Sequence, residues 1–245
     1  MPLREPHGSI GASGRGLGGS ELMWFFPLAA AGVAGVFSFS LSRGWGTKRR
    51  PNLLAWAVAL AMFALALGAA AWGLLWGWGS GVYRTYYLFG AVVNVPVLAL
   101  GSIYLLAPRP AGHVVAALVA GASLGAALQV IGAPLDQAAL TVQGIPAGSA
   151  VIADSSRALS RAYSYTGFIV VVGGALWSAY RLGRQRRDDL RRLAVANFLI
   201  ALGTLVVAIA SGFARYGRGA FFAVGLLAGI SIMFGGFLKT RPAPR

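Results

Sequence analysis

The chain has 245 residues, 57% hydrophobic and 11% charged, and carries a net charge of +15 from 21 basic and six acidic side chains. Soluble domains carry about 25% charged residues, so this composition excludes an ordinary water-soluble fold. The chain has no cysteine, which also excludes disulfides, thiolate metal sites and cysteine nucleophiles.

Residues 1–21 are rich in Gly and Ser and read as a disordered extracytoplasmic tail. Seven apolar stretches follow, at 22–42, 53–76, 85–107, 114–133, 163–180, 193–214 and 219–238, and none contains Asp, Glu, Lys or Arg. About 20 apolar residues suffice to cross a bilayer as a helix, and a helix satisfies its own backbone in lipid. The first stretch reads as a retained signal-anchor helix, because it is longer than the core of a cleaved signal peptide. The fold class is therefore an all-α membrane protein, a seven-transmembrane helix bundle over 22–238, followed by a basic tail at 239–245.

The outer ends of spans two and three carry an aromatic cluster: Trp72, Trp76, Trp78, Tyr83, Tyr86 and Tyr87, with Arg84 among them. An interfacial aromatic belt accounts for it; an aromatic mouth with a cation, suited to a planar or anionic ligand, is the sharper alternative. Span three holds the most unusual pair, Asn94 and Pro96. Proline removes an N–H and clashes one turn back, so a kink is expected there, with the Val92 carbonyl deprived of its donor. Asn94 beside that break is either interhelical glue or the lining of a ligand or water cavity. Gln129 in span four, Thr166 in span five, and Asn197 and Thr204 in span six are the other polar groups at depth. With Asn94, Tyr86, Tyr87 and Pro96, the amides Gln129 and Asn197 complete the ligand-binding candidates.

Small residues four apart let helices approach closely. Gly121 and Gly125 in span four and Gly225 and Gly229 in span seven have that spacing, which suits either tight internal packing or a partner subunit. The connection 134–162 is too polar to span and contains Gly144, Pro146 and Gly148; it reads either as a functional lid, as connections of this length often are, or as a plain tether across the bundle. Asp154-Ser155-Ser156 looks like a helix start, giving a short interfacial helix ahead of span five.

Alternate connections sort fourteen basic residues to one side, including Arg43, Lys48, Arg49, Arg50, Arg109, the Arg181–Arg192 group and Lys239, and seven to the other. The richer side is expected in the cytoplasm, with the N-terminus outside, the C-terminus inside and anionic lipid head groups against the basic face. That placement accounts for the net charge without nucleic acid. Basic flanks recur before spans two and six, before three and seven, and after three and seven, as in Arg49-Arg50 with Arg191-Arg192 and Arg109-Pro110 with Arg241-Pro242. This fits either simply the self-similar basic flanks that the positive-inside rule gives any membrane protein, or three helices, a linker helix and three more. Parallel repeats of that kind occur in some transporters.

The remaining signals are absences. His7 and His113 are the only histidines, and all six carboxylates lie outside the spans. A haem, a metal site, a proton relay and a membrane enzyme thus lack their usual groups, and no cofactor is expected. The stretch from Arg157-Ala158-Leu159-Ser160 to Tyr180-Arg181, with the final spans, resembles seven-helix membrane proteins of GC-rich bacteria with no assigned activity. The resemblance implies a bacterial cytoplasmic membrane and supplies no functional residues. The expected function is a transporter-like or ligand-binding bundle for a neutral or apolar small molecule. The alternatives are an accessory subunit of a larger membrane complex, as a homo-oligomer or beside another membrane protein, and a sensor acting through a partner.

Overall fold

The computed structural model describes residues 23–141, 144–152, 154–184, 188–215 and 219–239. Among them are seven helices long and apolar enough to cross a membrane, so the chain is a multi-pass, all-α membrane protein. The tails 1–21 and 240–245, Arg186, Arg187 and the Tyr216-Gly217-Arg218 flank lie outside the described residues.

Span one is α1 (Phe25–Lys48) and span two is α2 (Pro51–Trp76). They are joined within two residues. Arg49 adopts a left-handed conformation (φ 50°) and donates its N–H to the Trp45 carbonyl at 2.8 Å, and Arg50 then extends into Pro51. Proline suits that position, since the first amides of a helix have no partner to lose. Span three is composite: α3 (Ser80–Tyr87), a π turn (Leu88–Val92) and α4 (Asn94–Leu106). Span four is α5 (Arg109–Gly132).

The following connection contains two single-turn helices, α6 (Gln137–Leu140) and α7 (Gly148–Val151). Asp136 caps α6, its Oδ1 accepting from the amides of Ala138 and Ala139. The ends of the connection are tied where the Asp136 amide donates to the Val151 carbonyl at 3.1 Å. Span five belongs to α8 (Asp154–Gly183). The separate interfacial helix expected ahead of it is instead the first turns of α8, because neither glycine nor proline interrupts residues 154–166. At 1.5 Å per residue this helix is about 45 Å long, longer than a hydrocarbon core of about 30 Å. Spans six and seven are α9 (Asp188–Arg215) and α10 (Gly219–Lys239).

Packing partners follow a closed circuit: α1 on α2, α2 on α3 and α4, α4 on α8, α8 on α9, α9 on α10, and α10 back on α1. Six spans thus form a ring, and α5 sits outside it, against α4, the π turn and α8. The sequence shows why α5 is the outlier. Val114, Leu118, Leu124, Leu128 and Ile131 are all exposed, and the face it buries is thin, with Gly112, Ala126 and Val130. On the opposite side, the Phe37 ring of α1 packs tilted against Phe234 and Phe237 of α10, at 5.1 and 5.0 Å between ring centres, and closes the circuit.

Arg84 anchors α5 to the ring. Its guanidinium donates to the carbonyls of Val130 at 2.9 Å and Ala133 at 3.0 Å, groups left without helical partners where α5 ends, and a cation there also suits the helix dipole. Arg84 is therefore committed to the scaffold. Hydrogen bonds to a charged group contribute about 1.5–3 kcal/mol. Arg84→Ala is expected to lower stability by about that amount, read as an earlier unfolding transition in lipid bicelles. Arg84→Lys should recover only part of it, because an ammonium lacks the planar fork.

Candidate functional site

The site begins with the break in span three. Within the π turn the Val93 amide donates to the Leu88 carbonyl, five residues back, at 2.9 Å, and regular spacing resumes with Val97 to Val93 at 3.3 Å. The break lies one turn earlier than a kink centred on Pro96 would place it. Pro96 stands third in α4, where its missing N–H costs no hydrogen bond, and the one-residue shift before it absorbs the steric conflict. The Ala91 carbonyl, inside the π turn, accepts from Ser164 Oγ of α8 at 3.2 Å. A Cβ on Gly167 would fall 2.6 Å from Val95 Cγ1, so α8 crosses the break closely because residue 167 is a glycine.

Behind this break lies a cavity of about 680 Å³, bounded by α2, all three parts of span three, α8, α9 and α10. Such a volume is within the range of small-molecule sites. Its walls are largely apolar, with Phe63 and Leu67 on one side and Phe168 and Leu226 on others. Asn94 lines it with 9% of its surface exposed. Among the described residues, no group is hydrogen-bonded to the Asn94 side-chain amide. Other polar groups on the wall are engaged locally: Thr204 Oγ1 donates to the Ile200 carbonyl and Ser211 Oγ to the Val207 carbonyl, both at 2.8 Å.

The connection between spans four and five roofs this cavity through Pro146–Ser149. The roof is pinned by Trp78, whose Nε1 donates to the Gly144 carbonyl at 2.8 Å. Gly144 has φ 102°, a conformation that favours glycine. A Cβ on Gly148 would approach Tyr87 Cε2 at 3.2 Å, so this part of the roof lies directly on the tyrosines. Under it, Trp78, Tyr83, Tyr86 and Tyr87 form one aromatic group, with Tyr83 and Tyr87 stacked at 6.0 Å. The aromatic cluster therefore divides. Trp72 and Trp76 are exposed, at 4.5 Å from each other, as an interfacial belt requires; the other four turn inward.

A second, smaller cavity of about 50 Å³ lies toward the opposite end, where Ser102, Ser178 and Asn197 contribute polar atoms. Leu60, Leu98, Val171 and Met233 line both cavities and separate them as an apolar ring.

Of the residues singled out in the sequence, Tyr86, Tyr87, Asn94 and Thr204 converge on the large cavity. Pro96 positions the wall from behind. Asn197 lines the small cavity and donates its Nδ2 to the Leu193 carbonyl at 3.0 Å. Gln129 and Thr166 line neither cavity. Gly225 and Gly229 lie against α9, where an added Cβ would fall 2.5 Å from Ala210 Cβ and 2.8 Å from the Gly203 carbonyl respectively. Gly121 and Gly125 meet nothing within 4 Å and face outward.

The sequence reading missed Arg161 and Tyr165 on the α8 wall and the α10 wall formed by Phe222, Leu226, Ile230 and Met233. The helical spacing of that last set was visible, but an apolar helix in a bilayer offers no contrast to show which face looks inward. No family model, curated protein or solved structure matches the chain.

Proposed function

We propose that this protein is a ligand-binding bundle of transporter type for a neutral or apolar small molecule in a bacterial cytoplasmic membrane. The observation that carries the reading is the roofed cavity of about 680 Å³ with the Asn94 amide, unengaged among the described residues, in its wall. A well-formed apolar cavity with few convergent polar groups is the usual form of such a site, and irregular backbone at membrane depth is tolerated where it lines a cavity. Transport is favoured over passive binding by the two cavities in line, separated by the apolar ring of Leu60, Leu98, Val171 and Met233. The ring of spans one to three and five to seven, with span four outside, suits a 3+1+3 repeat, in which the outer helix returns the chain to its starting side. The basic flanks favour an orientation with the roofed end outside the cell. Catalysis has no part in this reading.

The test fills the cavity. Ala208 lines it and is itself exposed, so Ala208→Trp adds bulk at the cavity wall without replacing a buried side chain. Native mass spectrometry from mild detergent should find a bound small molecule on the wild type, or uptake from a panel of uncharged lipid-soluble compounds, and neither on Ala208→Trp with an unchanged unfolding transition. Wild-type protein that carries nothing and takes up nothing overturns the reading.

A second reading, an accessory subunit, is favoured by one observation: α5 leaves its glycine face at Gly121 and Gly125 open. Purification in the same detergent decides it, since that role requires a stoichiometric membrane partner or a second copy.

A further inference from the structure

We infer that the occupant of the large cavity is a single-chain amphiphile whose anionic head, a carboxylate or phosphate, is held by Arg161 beneath the roof. This rests on the cavity being a ligand site and departs from a wholly neutral ligand: the body is apolar, with charge at one end only.

Among the described residues lining the cavity, Arg161 is the single charged one. Its guanidinium has no acceptor among the described residues, unlike that of Arg84, which is spent on two carbonyls. Tyr165 lines the cavity one turn along α8, and residues four apart share a helix face. A cation and a phenol therefore face the same end of the space. Ser149 of the roof lines that end as well. The hydroxyls deeper in the cavity, on Ser164, Thr204 and Ser211, are already donated to backbone carbonyls, so they offer a second head group no free donor.

Depth fixes the rest of the molecule. Gly167 lies at the level of Val95, and Arg161 is six residues earlier on α8, about 9 Å nearer the roof at 1.5 Å per residue. Val171, in the ring that ends the cavity, is about 15 Å from Arg161 on the same scale. Between these levels the wall offers Phe63, Leu67, Phe168, Leu226 and Ile230, which suit a hydrocarbon chain. A cation with its stem along apolar surface and its head toward water is the arrangement long basic side chains favour, and guanidinium recognises carboxylate and phosphate through paired hydrogen bonds.

The experiment measures binding of dodecanoate, dodecyl phosphate and dodecanol to the full-length protein in uncharged phosphatidylcholine nanodiscs, corrected for partition into empty nanodiscs. Inorganic phosphate serves as the chainless control. At least one of the two acids should bind the wild type about tenfold or more tightly than dodecanol, and the tighter acid identifies the head. Inorganic phosphate should not compete. Arg161→Gln should bring that acid to the level of dodecanol without weakening dodecanol, and Arg161→Lys should retain most of the difference. Equal binding of acids and alcohol to the wild type overturns the anionic head while leaving the cavity as a ligand site. Phosphate that competes with dodecyl phosphate overturns the amphiphile in favour of a head-only site. Failure of all three chain compounds, with wild type and Ala208→Trp behaving alike, removes the proposed function together with this inference.

Discussion

Gly203→Ala and Gly229→Ala are each expected to destabilise the bundle by about 1–3 kcal/mol, the usual cost of overpacking a filled core, while Gly121→Ala and Gly125→Ala leave it unharmed. The asymmetry comes from what each added methyl would meet. At Gly203 it would lie 2.6 Å from the Gly229 carbonyl oxygen and 2.9 Å from the Met233 amide nitrogen; at Gly229, 2.8 Å from the Gly203 carbonyl oxygen. Each glycine occupies the other's backbone, so no side chain can rotate away and α9 and α10 must separate. Helices in lipid associate largely through such close packing, so the lost approach is not replaced by other driving forces. At Gly121 and Gly125 nothing lies within 4 Å. There the methyl enters free space, and alanine is the better helix former by about 1 kcal/mol. Steric trapping or denaturant unfolding in bicelles reads the four variants side by side. Four equal gains would show that helix propensity, not the α9–α10 crossing, governs the effect. A loss at Gly121 without one at Gly229 would move the weight to a partner seated on α5.

That pair of glycine motifs shows how far the sequence could be read. Spacing four is the same in spans four and seven, but spacing does not reveal whether a neighbour is present. The seven spans were legible because desolvating backbone and charge is so costly in hydrocarbon that composition alone marks them. The break in span three was legible for the same reason at a finer scale, since proline at depth must be accommodated. Its form was not legible: a π turn before Pro96 and a kink at it satisfy the same local chemistry, and the choice follows from α8 packing through Gly167 and Ser164. Arg84 and Arg161 show the opposite limit. Both stand at span ends, where positive charge is ordinary, and only the fold separates a helix cap from a residue facing the cavity. The cavity itself is assembled from five spans far apart in sequence, a juxtaposition that no local pattern encodes.

Asn94→Leu is expected to leave stability little changed and to weaken binding by about five- to thirtyfold, about 1–2 kcal/mol, for any occupant with a hydrogen-bonding group at the depth of the π turn. Two roles for a buried amide predict opposite outcomes here. An asparagine that ties helices together leaves its partner unsatisfied when removed, and the bundle loses stability. Asn94 has no such partner among the described residues and faces the cavity, so an isosteric apolar side chain strands nothing in the protein. It removes instead the donor and acceptor that a bound molecule, or water in its absence, would use. The loss therefore appears in the bound state alone. Its size should depend on the ligand: an occupant with a hydrogen-bonding group at the depth of the π turn loses the full factor, whereas a plain hydrocarbon chain at that depth binds Asn94→Leu as well or better, since the buried amide no longer needs covering. Binding and unfolding measured on the same nanodisc preparation separate these cases. A variant that unfolds early and binds normally would return Asn94 to a purely structural role. One that folds normally and discriminates among ligands would place the reading head of the site at the break in span three, where an uncharged group can select a ligand without the cost of burying an ion.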